Sequence, residues 1–81
     1  MPKFMDVHQM PGVTPAKVAE AHAKDLALQA KHGVKFEKYW VDVQQGKVFC
    51  LSDAPSADAA MKVHAEAGHP TKEIYQVHEG Q

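Results

Sequence analysis

The stretch that decides the fold is residues 34–67, VKFEKYWVDVQQGKVFCLSDAPSADAAMKVHAEA. Residues 34–43 are rich in β-branched and aromatic side chains, and residues 47–52 have the same character. Only the short turn Gln44–Gly46 separates the two segments. This pattern predicts a β-hairpin, because strands joined by so short a turn pair in antiparallel fashion.

The stretch continues into a helix. Ser56 can cap its start, residues 57–67 are rich in alanine, and Gly68 is a residue type that commonly ends helices. The same signals occur nearer the N-terminus, where Thr14 precedes a proline at the first helical position and begins a predicted helix over residues 15–31. The hairpin therefore lies between two predicted helices.

One further strand is predicted near each end of the chain, over Lys3–His8 and Glu73–His78. The resulting order is β-α-β-β-α-β. Because crossovers within one sheet are right-handed, this order favours the ferredoxin-like split βαβ sandwich, an α+β fold with two helices on one face of an antiparallel sheet. We expect residues 1–81 to form a single domain, since a chain of this length has room for one small core.

Composition limits the classes of function. No apolar run approaches the roughly 18 residues that a membrane span requires, and the first residues lack the layout of a secretory signal. The single cysteine, Cys50, cannot form an internal disulfide, which agrees with a reducing compartment. We therefore expect a cytoplasmic protein that does not associate with membranes.

The basic residues are unusual because all nine are lysine, and the formal net charge is −1. Arginine is the usual partner of phosphate groups and guanine edges, so its absence argues against a nucleic-acid binder. The chain has six histidines, a high number for its length. These histidines are the feature that a functional hypothesis has to explain.

Each predicted helix directs one histidine toward the sheet. At about 100° per residue, the charged residues of both helices fall on the outer sides and leave His22 and His64 on the inner sides. Asp25 lies one turn beyond His22, where it can ligate a shared cation or orient an imidazole. A metal site and a buried polar network both satisfy this pattern, because no spacing in the chain matches a strong metal-binding motif.

Strand alternation predicts a second polar group. We assign four apolar residues of the first and third strands to the side facing the helices: Met5, Val7, Phe49 and Leu51. Alternation then places Asp6, His8 and Cys50 on the open face of the sheet, together with Trp40. Such a mixed face predicts either a homodimer surface or a site. Because His69 follows the second helix, we expect it at the other end of the sheet from His8, so that the two meet only across a dimer.

Several strings of the sequence, taken together, resemble one known family. They are Met5-Asp6-Val7-His8, Ala21-His22 with Asp25 and Gln29, His32-Gly33-Val34, Tyr39-Trp40-Val41-Asp42, Val48-Phe49-Cys50-Leu51, Ala54-Pro55 and Val63-His64. The family is that of the small nickel-binding ferredoxin-like proteins of actinobacteria, and the similarity covers nearly the whole chain. The resemblance implies a homodimer that binds nickel ions, partly at exposed positions, and serves nickel sequestration or tolerance without catalysis.

The residues and the resemblance together predict a nickel site. The candidate ligands are His8, His22, Asp25, His64 and His69. Neutral imidazoles and carboxylates are ligands that a borderline divalent ion accepts. One difference concerns His69, because relatives often continue after the second-helix histidine with Glu-Ala-His-Gly, whereas this chain has Glu-Ala-Gly-His at residues 66–69.

Two other functions fit the sequence. The first is an enzyme of the small dimeric α+β barrel type, in which two open sheet faces enclose an organic substrate and Asp6, His8 or Trp40 act on it. The second is an interaction module that docks through the sheet face and whose histidines are structural. No phosphate-binding loop or activated-nucleophile motif supports catalysis, so the enzyme hypothesis rests on fold analogy.

Overall fold

The strands and helices occur in the predicted order. The computed structural model describes residues 1–81. The elements are β1 (Lys3–Gln9), α1 (Pro15–Leu28), a short 3₁₀ helix (Gln29–His32), β2 (Lys35–Asp42), β3 (Lys47–Asp53), α2 (Ala57–Glu66) and β4 (Glu73–Val77). The four strands form one antiparallel sheet in the order β2-β3-β1-β4. The prediction of a ferredoxin-like α+β sandwich is confirmed.

Both helices begin at the predicted caps. The Thr14 hydroxyl accepts a hydrogen bond from the backbone N–H of Lys17 at 3.2 Å, and the Ser56 hydroxyl accepts one from Ala59 at 3.1 Å. Each bond satisfies an N–H group that has no partner within the helix, so these short polar residues fix where α1 and α2 start.

Helix α1 ends earlier than predicted. It stops at Leu28, and the chain continues as the 3₁₀ helix until Gly33, whose φ of 69° ends the helical path. The side chain of Gln29 accepts a hydrogen bond from the backbone N–H of Phe36 at 2.9 Å. This bond ties the end of the helix to the start of β2.

The side of the sheet that faces the helices is the reverse of the predicted one. In β1, Phe4, Asp6 and His8 are buried on that side, and Cys50 of β3 lies directly opposite Asp6. The physical reason is that both alternating sets of residues contain apolar side chains. Phe4 and Val48 pack into the core at opposite ends of the sheet. The polar residues at alternate positions of the same strands therefore also point toward the helices.

The interior contains two apolar clusters. Phe4, Val34, Phe36, Ala54, Ala60 and Val63 form the first. Val13, Val18, Val48 and Cys50 form the second. Along α1, the buried Asp25 lies between Val18 of the second cluster and Leu28, which packs on the first. The middle of the interior is therefore polar.

The open face of the sheet, which the helices do not cover, has an apolar middle. Its apolar side chains include the four residues predicted to face the helices, and they are Met5, Val7, Trp40, Phe49, Leu51, Tyr75 and Val77. A β-bulge between Phe36 and Lys38 lets both Phe36 and Tyr39 face the helices while Trp40 points to the open face. Trp40 is 48% exposed and Tyr75 is 54% exposed. None of the helices has the length and apolar character of a membrane span.

Candidate metal centre

His64 is the central residue of the polar interior. It comes from the inner side of α2, as the helical periodicity predicts, and it is 0% exposed. Its Nδ1 donates to Asp25 Oδ1 of α1 at 3.0 Å, and its Nε2 donates to Asp6 Oδ2 of β1 at 2.9 Å. One imidazole thus connects a helix and a strand through two carboxylates.

The pairing with two carboxylates determines the charge of His64. An ionised carboxylate only accepts hydrogen bonds, so both ring nitrogens must carry a proton. Burial by itself lowers the pKa of His64, but the hydrogen bonds to Asp25 and Asp6 outweigh it and raise the pKa to about 11. His64 is therefore an imidazolium at neutral pH.

The network continues beyond each carboxylate. His69 Nε2 donates to both oxygens of Asp25, at 2.8 and 2.9 Å. Burial raises the pKa of Asp25, but the hydrogen bonds from His64 and His69 outweigh it and lower the pKa to about 2. At the other end, His8 Nε2 lies 2.8 Å from Asp6 Oδ1. The five side chains form the continuous series His8, Asp6, His64, Asp25 and His69.

The contact between His8 and Asp6 is incomplete. Their atoms are within ion-pair distance, yet the alignment is not that of a hydrogen bond, and neither His8 Nε2 nor Asp6 Oδ1 has another partner. Burial raises the pKa of Asp6, but hydrogen bonding to His64 and attraction to His8 outweigh it, and the pKa lies below its ordinary value. Two buried polar atoms are thus left without a hydrogen bond, and a cation would satisfy both.

His8 and His69 meet within one chain, contrary to the prediction. Their ring centroids are 5.7 Å apart. The direction of α2 is opposite to the one that the prediction assumed. Because Lys3 of β1 pairs with Asp53 of β3, α2 starts near the beginning of β1 and runs back toward the end that carries His8.

A small cavity adjoins this network between α1 and the sheet. Its volume is about 10 Å³, which is enough for one water molecule or one ion. The apolar part of its lining includes Val18 and Tyr39. The charged and imidazole side chains in its lining are His8, His22, Asp25 and His69. All four are among the candidate ligands predicted from the sequence.

His22 lines the cavity without joining the hydrogen-bond network. Its Nδ1 is buried and has no partner, and its ring lies 4.7 Å from the ring of Tyr39. Burial lowers the pKa of His22, the nearby Asp25 opposes this effect, and the net shift is downward. His22 is therefore a neutral imidazole at neutral pH, which is the form that binds metal ions.

Sequence reasoning missed two residues of this region. Asp6 and Cys50 were placed on the open face, whereas both lie inside with His8 and His64. Phe4 is an apolar residue two positions before Asp6, so the two side chains point to the same face of β1. Assigning Phe4 to the core would have placed Asp6 correctly. The remaining histidines lie elsewhere: His32 Nε2 is 3.1 Å from Glu66 Oε1, and His78 is exposed.

The donor atoms present fit a transition-metal ion. One group comprises ligand atoms of Asp25, His64 and His69, and another comprises those of Asp6, His8, Cys50 and His64; within each group the atoms lie within 4.8 Å of one another. Imidazole nitrogen, carboxylate oxygen and cysteine sulfur are the donors that borderline divalent ions accept. His22 Nδ1 has no partner, and His8 Nε2 has only the ion-pair contact with Asp6 Oδ1, so both nitrogens can serve as metal donors.

Two of three comparisons with known proteins found similar proteins. The sequence model of a family described as nickel responsive protein SCO4226-like matches residues 4–77. The crystal structure of SCO4226 from Streptomyces coelicolor A3(2) is 42% identical in sequence, with 98% of this chain and 99% of that chain covered and a TM-score of 0.92.

A second solved structure is less similar. The NMR structure of heavy metal binding protein TM0320 from Thermotoga maritima is 23% identical, with 93% of this chain and 98% of that chain covered and a TM-score of 0.51. This likeness shows the fold alone. No match was found among curated protein sequences.

Proposed function

The chain belongs to the SCO4226-like nickel responsive protein family, as its sequence resemblance predicts, and from this premise we propose that it binds nickel ions. The proposed role is sequestration or detoxification of nickel in the cytoplasm, without catalysis. The name of the family and the donor set of the interior both support this proposal.

The observation that carries the proposal is the composition of the small cavity. Its polar lining brings together His8, His22, Asp25 and His69 from β1, α1 and the segment after α2. Three of these are imidazoles, and two of the imidazoles have a buried nitrogen without a partner. An unsatisfied buried polar atom costs about 1–3 kcal/mol, and a cation bound in the cavity would remove that cost.

His64 has a different part in the proposal. Both of its nitrogens are bonded to carboxylates, so it holds Asp25 and Asp6 in place before any ion arrives. As a direct ligand it would first have to lose a proton, because only an unprotonated nitrogen binds a metal. We therefore assign His64 first to positioning Asp25.

The enzyme alternative loses its structural basis. It named Asp6, His8 or Trp40 as the residue that acts on a substrate held between two open sheet faces. Asp6 and His8 lie on the side facing the helices, whereas Trp40 points to the open face. Of the three, only Trp40 therefore faces the space that the enzyme alternative would use.

We also propose that two copies of the chain associate through the open face. Trp40 and Tyr75 are large apolar side chains, about half exposed, that lie among Met5, Leu51 and Val77. Exposed apolar patches of this kind mark interaction sites. Lys38 and Glu79, which have opposite charges, line the same face. We propose that they pair across a twofold axis, as a self-complementary interface requires.

The metal proposal is tested by calorimetric titration of metal-free protein with nickel at pH 7.5. The test variant is His22→Gln/His69→Gln, which removes two cavity imidazoles but keeps an amide donor for Asp25. The matched control is His32→Gln/His78→Gln, which removes two imidazoles outside the cavity. We expect saturable binding by the unchanged chain and the control, and at least about tenfold weaker binding, or about 1.4 kcal/mol, in the test variant.

Two results would contradict the proposal. If the unchanged chain shows no saturable binding, nickel is not its ligand. A loss of affinity confined to the control variant would move the site to the outer histidines, and the cavity would then be structural.

A further inference from the structure

We propose that Cys50 is a ligand of the same centre, through its thiolate sulfur, so that the centre is a mixed nitrogen, oxygen and sulfur site. This inference rests on the proposed metal-binding function. It goes beyond that function because it selects a class of ion: one that accepts sulfur, such as Ni²⁺, Co²⁺, Zn²⁺ or Cu⁺, and excludes Mg²⁺, Ca²⁺ and Mn²⁺.

The first observation is the position of the sulfur. Cys50 is 6% exposed, comes from the middle of β3, and lines the same small cavity as His8 and Asp25. Its Sγ also belongs to a group whose ligand atoms, from Asp6, His8 and His64, all lie within 4.8 Å of one another. The sulfur therefore faces both the empty space and the carboxylates.

The second observation is independent of the cysteine. His8 is 5% exposed and Asp6 is 0% exposed, and each has a buried polar atom without a hydrogen-bond partner. Those two atoms, His8 Nε2 and Asp6 Oδ1, lie 2.8 Å apart in the group that contains Cys50 Sγ. Unsatisfied buried donors and acceptors cost free energy, and a cation bound between them would remove that cost.

The remaining contacts complete such a site. If His64 also becomes a ligand, it would bind through Nε2, because its Nδ1 donates to Asp25. The Nε2 proton that it donates to Asp6 would then go to solvent. A hydrogen bond from the second ring nitrogen to a carboxylate is the usual support of a metal-bound histidine. His69 in turn holds Asp25 through two contacts of 2.8 and 2.9 Å.

The chemistry of binding is a proton exchange without oxidation. In the metal-free protein Cys50 is a neutral thiol among apolar and imidazole groups. When the metal–sulfur bond forms, the S–H bond breaks and its proton goes to solvent, because a coordinated thiol is deprotonated. The thiolate then offsets one of the two positive charges of the ion, which favours binding in a buried site.

The test is spectroscopic and uses cobalt as the probe. Metal-free protein, kept reduced, is titrated with Co²⁺ at pH 7.5 while its near-ultraviolet and visible spectra are recorded. A sulfur ligand produces an intense thiolate-to-cobalt charge-transfer band, which nitrogen and oxygen ligands do not give. We expect this band to grow to saturation at a fixed ratio of cobalt to protein, and Ni²⁺ to displace it.

Two variants accompany the titration. Cys50→Ser replaces sulfur by oxygen at nearly the same size, and we expect it to lose the band and to bind nickel at least about tenfold more weakly. The matched control is Ser52→Ala, a change two residues along the same inward side of β3, where the Ser52 hydroxyl is buried without a partner. The control should retain both the band and the affinity.

The outcomes separate this inference from the proposed function. Saturable nickel binding without a charge-transfer band in the unchanged chain would overturn the cysteine ligand and leave the metal-binding function standing. A band that persists in Cys50→Ser would overturn it as well. Absence of any binding would overturn both. The spectrum of the unchanged chain decides the question even if a variant fails to fold.

Discussion

The side of the sheet that the helices cover is polar at its centre, whereas the open face carries large apolar side chains. The face covered by helices holds two carboxylates and an imidazolium at its centre, Asp6, Asp25 and His64. The open face presents Trp40 and Tyr75 instead. A chain that needed only a stable core would place these residues the other way round. The proposed metal centre and the proposed interface between two copies would together account for the difference.

Energetics support this interpretation. Burying charges costs solvation energy, and a buried ion pair is often no more stabilising than well-packed apolar residues of similar volume. Only a complete network recovers the cost, because each unpaired buried charge is strongly unfavourable. In a domain of 81 residues with a small core, such a network is a poor way to gain stability. Its presence is better explained by a ligand.

The largest loss of stability is expected from removing His64, the central residue of the covered side. His64→Ala leaves Asp6 and Asp25 buried without their shared cation, and we expect the free energy of unfolding to fall by about 3–5 kcal/mol. Urea denaturation of the metal-free protein, followed by circular dichroism, measures this change. His78→Ala, an exposed histidine beside the open face, should leave the transition within about 0.5 kcal/mol.

A triple variant sharpens the same contrast. In Asp6→Leu/Asp25→Leu/His64→Met the charges disappear together, so we expect stability equal to or above that of the unchanged chain, by up to about 4 kcal/mol. Nickel binding should disappear. If the triple variant were as unstable as His64→Ala, the network would be required for folding, and the argument that it exists for a ligand would fail.

A smaller change in stability is expected from pH, because the covered side contains the groups whose pKa values change most on folding, His64 and Asp25. The pKa of His64 is raised from 6.5 to about 11, so its contribution is complete below pH 6.5 and is lost as pH rises through about 11. The pKa of Asp25 is lowered from 3.8 to about 2, so its contribution is complete above pH 3.8 and is lost as pH falls through about 2.

The lowered pKa of His22 costs stability as pH falls below 6.5, so the three shifts together predict a stability maximum near pH 6.5. Above it, the free energy of unfolding of the metal-free protein should fall by up to about 1.4 kcal/mol per pH unit. Denaturation at a series of pH values measures this slope. A flat profile from pH 6.5 to pH 10 would mean that His64 is neutral in the folded protein.

The smallest change in the stability of the single chain is expected on the open face. Trp40→Lys alters a side chain that is 48% exposed in the isolated chain, so we expect its unfolding free energy to change by no more than about 0.5 kcal/mol. Association should change instead. Light scattering after size-exclusion chromatography should show a dimer for the unchanged chain and a monomer for Trp40→Lys. A dimer that survives this substitution would place the interface elsewhere.

Much of the fold follows from local signals. The caps Thr14 and Ser56 act as predicted, and Gly33 ends the 3₁₀ helix that follows α1. The inward direction of His64 also follows from helical periodicity. These features depend on residues within one or two turns of each other, and such contacts are encoded in short stretches of sequence.

The candidate site was only partly predictable. Helical periodicity and the packing of two helices on one sheet predicted that His22, Asp25 and His64 lie close together. His8 was a candidate ligand assigned to the wrong face, because Met5 and Val7 made the other parity equally plausible. Cys50 was assigned to the wrong face for the same reason. A shift of one residue moves every side chain of a strand to the other face of the sheet. A strand whose two faces look alike in sequence can therefore lead to wrong positions for several residues of a site.

The sequence by itself determined the order of the elements, their boundaries to within a few residues, and the presence of an unusual set of imidazoles. Only the tertiary structure decided which face of the sheet is buried, that α2 returns to the end carrying His8, and that His64 is an imidazolium between two carboxylates. The physical reason is distance along the chain. Asp6 and His64 are 58 residues apart in sequence, and neither their contact nor the resulting charge exists until the core has formed around them.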